Sequence, residues 1–240
     1  MNIMKPTDYP DIFTVDEANP TLYSDKAGFE IGFAHTAQSL HDIEIYKQFL
    51  KNAILMFRRS QTYKHYKGFL LNNVGIRCCQ YHGNIKVDDD GTEMATIEMH
   101  HHLLTIFDDA FIIAEHILNN GGYLTTFDLV KMLEIEHTEQ RIPTVMLCKT
   151  CHQCQHHDPS FFIPLDMVYG KWMEFLQRFP SGVTRDIYYR LFYHIKKDIN
   201  MRDPSEQRTV QLLSVAKTLE NWSEINAETF GDPGIDLNSI

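Results

Sequence analysis

At 240 residues, with 43% hydrophobic and 12% aromatic residues, the chain can form one large globular domain or two small ones. Its formal net charge of −10 argues against a protein that coats nucleic acid non-specifically, because neutralising phosphates requires Lys and Arg. It has no apolar run near the roughly 18–20 residues of a membrane span and no signal-peptide pattern, so we expect a cytoplasmic protein without a membrane partner.

The first part of the chain is predicted to be an irregular arm followed by helices. Residues 1–37 show little periodicity, apart from a candidate short strand at Gly28–Ala34. From Gln38 onwards, apolar residues recur at about three- to four-residue intervals, which predicts a helix. A second helix is expected at Thr62–Asn72, with Ser60 as its N-cap. Basic side chains of this region, which form either a solvated helix face or a surface for nucleic acid, are Lys47, Lys51, Arg58 and Arg59.

The rest of the chain is predicted to alternate short strands with helices. Asn84–Val87 and Met94–His101 flank the turn sequence Asp88–Gly91 and predict a β-hairpin. Amphipathic helices are expected at Leu103–Asn119 and from Thr125 or Thr126 to about Glu139. Later predicted elements are a strand at Ile142–Leu147, a short helix at Lys149–His157, a strand at Phe161–Ile163, helices near Leu165–Phe179, Val183–Asp198 and Ser205–Trp222, and a mobile acidic tail from Glu224.

The five cysteines occur in two groups, and their spacing predicts a structural zinc. An odd, clustered set in a chain without a secretion signal favours metal binding over disulfides. Cys79-x-x-His82 and Cys148-x-x-Cys151 each let a turn present two side chains to one ion, and together they complete a tetrahedral shell. The alternative is a set of buried cysteines with a core histidine. Two substitutions within the set stay open: Cys78 for Cys79, and Cys154 as a spare ligand.

Three consecutive histidines mark a predicted strand end. Neighbouring side chains on a strand point to opposite faces unless the strand ends or bends, so two histidines there can divide labour. We expect His100 to bind a metal ion and His101 to act as general base on a water molecule, because the unperturbed pKa of histidine lies near the working pH. His102 is then a bystander, or the base if the register is shifted by one.

The short predicted helix supplies two more candidate ligands. His152 and His156 are four residues apart and share one helix face. With His100 they would form a three-histidine site with open positions for water and phosphate. The alternative is that they are helix-surface histidines, and His157 could replace His156.

These residues resemble the metal centre of the HNH (His-Me finger) endonucleases, in which a strand ending in His–His or Asp–His is followed by a strand and a metal-binding helix. Glu98–His101 (EMHH) with His152-x3-His156 is similar to the metal site of the colicin nucleases. The two cysteine pairs are similar to the zinc-stapled branch. Residues 62–170 also resemble HNH-like proteins of tailed bacteriophages.

The resemblance implies an α+β, mostly helical protein with a small ββα-metal core and a zinc staple embedded in helices. It implies a DNA endonuclease or nickase acting on double-stranded DNA, in the host cytoplasm if phage-encoded. The cofactors would be a structural Zn²⁺ and a catalytic Mg²⁺, Mn²⁺, Ni²⁺ or Zn²⁺. His101 would activate the attacking water, and the ion held by His100, His152 and His156 would stabilise the transition state and the leaving 3′ oxygen. The expected organisation is an N-terminal arm and helix (1–60), an HNH-like core (61–170) with a helical insertion (103–140), and C-terminal helices with an acidic tail (171–240).

Two features depart from the family pattern. The Asn that usually orients the base histidine is replaced near Pro143–Thr144, which leaves Gln140 or a backbone carbonyl for that task. Two predicted helices also lengthen the gap between the base and the metal-binding helix. Their histidines, His116 and His137, are expected on a helix surface or in the core.

Two other functions stay open. A non-catalytic, zinc-stabilised phage accessory protein that binds nucleic acid or a protein partner fits the acidic charge and the missing Asn. A zinc hydrolase acting on a nucleotide or small molecule would need a Glu base. Glu98 is the nearest candidate, and its side chain should share a strand face with His100. The oligomeric state is not defined by the sequence.

Overall fold

A computed structural model describes residues 34–83, 96–158 and 160–230 of the chain. Within these residues, eight α-helices surround one two-stranded sheet. The predicted strand at 28–34 falls almost entirely outside them, as do the turn and the first strand of the predicted hairpin. No helix of the described segments is both long and apolar enough to cross a membrane.

The first two helices are separated by a single residue. α1 (Ile43–Arg59) ends at Ser60, and the Ser60 side chain accepts a hydrogen bond from the backbone N–H of Tyr63. This side-chain bond satisfies one of the free N–H groups at the start of α2 (Gln61–Asn72). The predicted N-cap of α2 is therefore confirmed.

The next two helices form the insertion between the strands, and both begin with the same capping motif. α3 spans Ile106–Asn119 and α4 spans Thr126–Thr138. In each helix, the N-cap threonine hydroxyl accepts a hydrogen bond from the backbone N–H of the aspartate three residues later. The carboxylate of that aspartate accepts a hydrogen bond from the threonine backbone N–H. The two capping pairs are Thr105 with Asp108, and Thr125 with Asp128.

The sheet joins two strands that are far apart in sequence. β1 (Ile97–His101) pairs antiparallel with β2 (Thr144–Cys148), with His100 opposite Val145. Burial alternates along β1, whereas every residue of β2 is buried. α5 (Lys149–His157) starts directly after β2 and contacts both strands. The order is thus strand, helical insertion, strand and helix.

The C-terminal third is helical, but several element bounds differ from those predicted. Phe161–Ile163 is not a strand. The predicted helix at Leu165–Phe179 is interrupted, because Gly170 has a φ of +120° and a side chain there would collide with the carbonyl oxygen of Ile142. Within that range the structure has a 3₁₀ turn at Leu165–Met167 and α6 (Trp172–Arg178). The two helices that follow are α7 (Arg185–Asn200) and α8 (Gln207–Phe230).

The last helix corrects a further prediction. A mobile tail was expected from Glu224, but α8 continues to Phe230. Its inner face is buried, and the Asn226 side chain donates a hydrogen bond to the carbonyl oxygen of Pro180 at 2.5 Å. Packing against the preceding helices therefore stabilises a segment whose acidic composition suggested disorder.

The buried apolar side chains of the described residues form two hydrophobic cores. The larger core lies among the helices. The smaller core lies between the sheet, α2 and the start of α5, and it includes three cysteines together with the buried residues of β1. Its buried members include Tyr66, Leu70, Cys79, Ile97, Met99, Val145, Met146, Leu147, Cys148, Cys151 and Ile163.

Candidate metal centres

The first candidate centre contains the four residues of the two predicted chelating pairs, and we call it the cysteine centre. One ligand atom from each of Cys79, His82, Cys148 and Cys151 lies within 4.8 Å of the others. Nδ1 of His82 is 3.7, 3.8 and 3.3 Å from the sulfur atoms of Cys79, Cys148 and Cys151, respectively. A tetrahedral zinc with ordinary bond lengths sets its sulfur and nitrogen ligands about 3.6 Å apart. The geometry therefore fits a zinc bound by three thiolates and one imidazole.

The protonation of these thiols also favours a bound cation. Burial raises the pKa of the Cys79 thiol, but hydrogen bonds from the backbone of Cys148 and His82 outweigh it and bring the pKa to about 7. Burial and the neighbouring sulfur atoms raise the pKa of the Cys151 thiol. Three thiolates can therefore coexist here only if a cation compensates their charge.

Gln80 connects the two halves of the cysteine centre. Its backbone N–H donates to the carbonyl oxygen of Met146 at 2.9 Å, and its side-chain oxygen accepts from the Met146 N–H at 2.7 Å. These bonds hold the Cys79–His82 turn against β2, which carries Cys148 at its end. The other two cysteines, Cys78 and Cys154, contribute no ligand atom to the cysteine centre.

The second candidate centre, the histidine centre, consists of His100 on β1 with His152 and His156 on α5. Their ligand atoms lie within 4.8 Å of one another, and Nε2 of His152 is 3.3 Å from Nε2 of His156. The three ring centroids are nearly equidistant, at 4.8, 5.0 and 4.9 Å. A tetrahedral ion at the usual zinc–nitrogen distance separates two such nitrogens by about 3.3 Å. The three rings thus fit one ion with a coordination position left open.

Glu98 supports one ligand of the histidine centre. Nδ1 of His152 donates a short hydrogen bond to a carboxylate oxygen of Glu98. The alternation of β1 puts Glu98 and His100 on the same face, as predicted. A carboxylate in this position fixes the tautomer of the ring and makes its Nε2 a stronger ligand.

We expect Glu98→Gln to weaken metal binding at the histidine centre by about ten- to a hundredfold. The amide is a poorer acceptor than the carboxylate, so the lone pair on Nε2 of His152 becomes less basic. Competitive titration of Zn²⁺ against a chelator measures this affinity. The cysteine centre of the same sample is the internal control and should be unchanged. Equal affinities in the variant and the wild type would show that His152 does not bind an ion through Nε2.

His101 lies on the opposite face of β1 and contacts a histidine of α4. Nε2 of His101 is 3.0 Å from Nε2 of His137, and Nδ1 of His137 donates to the carbonyl oxygen of Leu133 at 2.7 Å. His137 therefore carries its proton on Nδ1 and must accept at Nε2. It follows that Nε2 of His101 is the donor and that Nδ1 of His101 carries a lone pair. Burial, and then the nearby His137, lower the pKa of His101 well below its usual value.

The cleft beside the histidine centre is bordered by His101 and by basic residues. His101 is 8% exposed, yet it lines two cavities of about 360 and 550 Å³. Arg58 and Lys67 line the larger one together with all three residues of the histidine centre. The residue predicted as the base thus lies at the inner wall of the cleft, largely covered by its neighbours.

The remaining candidates are engaged elsewhere. His157 is exposed at the end of α5, and Gln140 accepts a hydrogen bond from the Tyr169 hydroxyl at 2.5 Å. His116 is buried and is hydrogen-bonded to Ser181 at 2.7 Å. The partner that the structure provides for His101 is His137, which sequence analysis identifies only as a histidine within an apolar helix.

Comparison with known proteins places the chain among bacteriophage proteins. The model of a family described as bacteriophage G278-like virion protein matches residues 15–225. No curated protein and no solved structure matches the chain. The predicted phage relationship is thereby supported, and the resemblance to HNH endonucleases stays a prediction.

Proposed function

We propose that this chain, which belongs to the bacteriophage G278-like virion protein family, is a metal-dependent nuclease of the phage particle with an HNH-like ββα-metal centre. One observation supports this most: three imidazoles surround a single point while a fourth, on His101, borders the same cleft. The order of β1, β2 and α5 along the chain agrees with the resemblance. The expected location is then the particle, rather than the host cytoplasm alone.

The donor set of the histidine centre favours a borderline transition metal. Three neutral imidazoles suit Zn²⁺ or Ni²⁺ better than Mg²⁺, which prefers oxygen ligands. An ion bound there would neutralise charge developing on the phosphate oxygens during attack. The protein contributes a fixed ring orientation at His152, through Glu98, and an open side toward the cleft.

In this proposal, His101 accepts a proton from the attacking water. Its Nε2–H is directed at His137, so the lone pair of Nδ1 is the basic atom. In the proposed reaction, the water oxygen bonds to phosphorus as Nδ1 takes a proton. The bond from phosphorus to the 3′ oxygen then breaks, and a second water returns a proton to that oxygen.

Two cations beside the histidine centre favour a phosphodiester substrate. Arg58 of α1 and Lys67 of α2 line the cavity that contains the three ligand histidines. Local positive charge of this kind can attract a phosphate even though the whole chain has a net charge of −10. Arg190, at the other cavity, is less available because it makes two hydrogen bonds to Asp108, of 3.1 and 2.6 Å.

A non-catalytic role in the particle is the second candidate. The family description names virion proteins, and the acidic charge disfavours sequence-independent DNA binding. In this case the histidine centre would join β1 to α5 as a second staple, with no chemistry at its open position. The two functions differ in whether DNA is cut.

Conversion of supercoiled plasmid tests the nuclease. Protein supplied with Zn²⁺, Ni²⁺, Mn²⁺ or Mg²⁺ at low salt should nick or cut the plasmid, and chelator-treated protein should not. His100→Ala removes one ligand of the histidine centre and leaves the cysteine centre complete, so it controls for a contaminating nuclease. If no metal supports cleavage by protein that retains its zinc in the cysteine centre, the nuclease proposal is wrong and the structural role stands.

A further inference from the structure

A second pair of histidines lies beside the histidine centre and has no part in the proposed reaction. His102, just after β1, faces His194 on α7, with ring centroids 4.9 Å apart. This spacing is within the 4.8–5.0 Å range of the three ring pairs in the histidine centre. His102 is 7% exposed, so its ring is almost fully removed from solvent.

The surroundings of these two rings indicate where their lone pairs lie. The backbone carbonyl of Ile163 lies beside both rings and favours a ring N–H on each of them. The Nε2 atoms of both rings are buried without a partner among the residues that the structure describes. With Nδ1–H directed at that carbonyl, each neutral ring keeps a lone pair on its unpartnered Nε2.

Gln155 adds a third unpartnered acceptor at the same place. It lies on α5, next to His156, and its side-chain oxygen is buried without a partner within the described segments. Gln155, His102 and His194 together line both the cavity of about 360 Å³ and a smaller one of about 150 Å³. Three buried acceptor atoms without a hydrogen-bond donor are energetically unfavourable unless a cation or a donor group binds to them.

We propose that His102, His194 and Gln155 form a third metal site, which binds a divalent transition metal such as Zn²⁺ or Ni²⁺ beside the histidine centre. Two imidazole nitrogens and an amide oxygen suit these ions. The smaller cavity, of about 150 Å³, has room for the ion and water ligands, since each water takes up about 30 Å³. The site shares no ligand with the cysteine centre or the histidine centre.

Lys197 is a positively charged neighbour that should limit the affinity of this third site. It lines the smaller cavity, and its ammonium lies 4.8 Å from the centroid of the Phe162 ring. Phe162 in turn stacks on His194, with centroids 4.6 Å apart. A positive charge here opposes a divalent cation. Lys197→Met should therefore strengthen metal binding.

Counting zinc by elemental analysis after equilibrium dialysis against buffered Zn²⁺ tests the third site directly. The wild type should hold three equivalents per chain, and His194→Phe and His100→Ala two each, because they remove different sites. The double variant should hold one. His65→Gln, which changes an exposed histidine of α2, is the matched control and should hold three. An equal zinc content in the wild type and in folded His194→Phe would overturn the proposal, whereas an equal content in the wild type and His100→Ala would count only against the histidine centre.

Two gain-of-affinity variants keep the test independent of folding defects. Gln155→Glu replaces a neutral ligand by a carboxylate and should tighten the third equivalent by about tenfold, as added ligand charge does at other metal sites. Lys197→Met should act in the same direction. If neither changes the affinity, the three atoms do not share an ion. Because zinc content is measured without DNA, this result is separate from the outcome of the cleavage assay.

Discussion

Cys151→Ser is expected to remove the zinc of the cysteine centre and to lower the free energy of unfolding by about 3 kcal/mol or more. Cys151 is 2% exposed and belongs to the smaller hydrophobic core, so the loss of the ion leaves buried polar sulfur atoms without their counter-charge. Urea denaturation followed by circular dichroism, with zinc content measured in parallel, gives both quantities.

The same variant should also weaken the histidine centre, because α5 carries ligands of both. Cys148 and Cys151 lie at the start of this nine-residue helix, and His152 and His156 follow on it. A helix this short has little stability of its own and depends on its tertiary contacts. Loss of the staple should therefore displace the ligand histidines, whereas Glu98→Gln should leave the cysteine centre unchanged.

Cys154→Ser is the matched control for the staple. Cys154 is on the same helix but is not a member of either centre. The Cys154→Ser variant should retain one zinc in the cysteine centre and the stability of the wild type. If Cys154→Ser destabilises the protein as much as Cys151→Ser, or if chelation leaves the stability of the wild type unchanged, zinc does not hold this part of the fold together.

What the sequence could predict is governed by short-range geometry. The chelating pairs, the i, i+4 histidines of α5 and the threonine and serine caps depend on residues at most four positions apart. The alternation of β1 likewise correctly assigned Glu98 and His100 to one face. Each of these features can be read from spacing alone, because helices and strands have fixed periods.

What the sequence could not predict depends on contacts between distant segments. β1 pairs with β2 across the whole helical insertion, and no local pattern in either strand indicates this partner. The predicted hairpin lies largely outside the described residues. His137 and His194 occur in helical patterns like those of ordinary core residues, and their importance comes from the rings they meet across 36 and 92 positions. The helix break at Gly170 is caused by the nearby backbone of Ile142, which no local pattern indicates.

His101→Ala is expected to slow plasmid cleavage by about 10³-fold, the range typical of losing a general base. His137→Leu should cost about 10²-fold or more, because a base held in the wrong tautomer cannot accept the proton. Both variants keep the three ligands of the histidine centre, so its metal content should be unchanged. Single-turnover cleavage rates at saturating metal measure the effect on the chemical step.

Combining His101→Ala with His137→Leu shows whether the two histidines act together or independently in cleavage. If His137 acts only by orienting His101, then His101→Ala with His137→Leu should be no slower than His101→Ala alone. His116→Leu is the matched control, since His116 is also a buried helix histidine and lies away from His101. It should cost stability and leave the cleavage rate unchanged. Additive losses, or an equal loss in His116→Leu, would contradict the orienting role.

The tautomer itself can be observed without any cleavage. In protein with ¹⁵N-labelled histidine, NMR should show His101 protonated at Nε2 in the wild type, because the Nδ1–H of His137 is held by the Leu133 carbonyl. His137→Leu removes the acceptor for that proton, and the Nδ1–H form of His101 should then appear. A wild-type spectrum with His101 protonated at Nδ1 would leave its only lone pair on Nε2, which lies against His137, and His101 could not be the base.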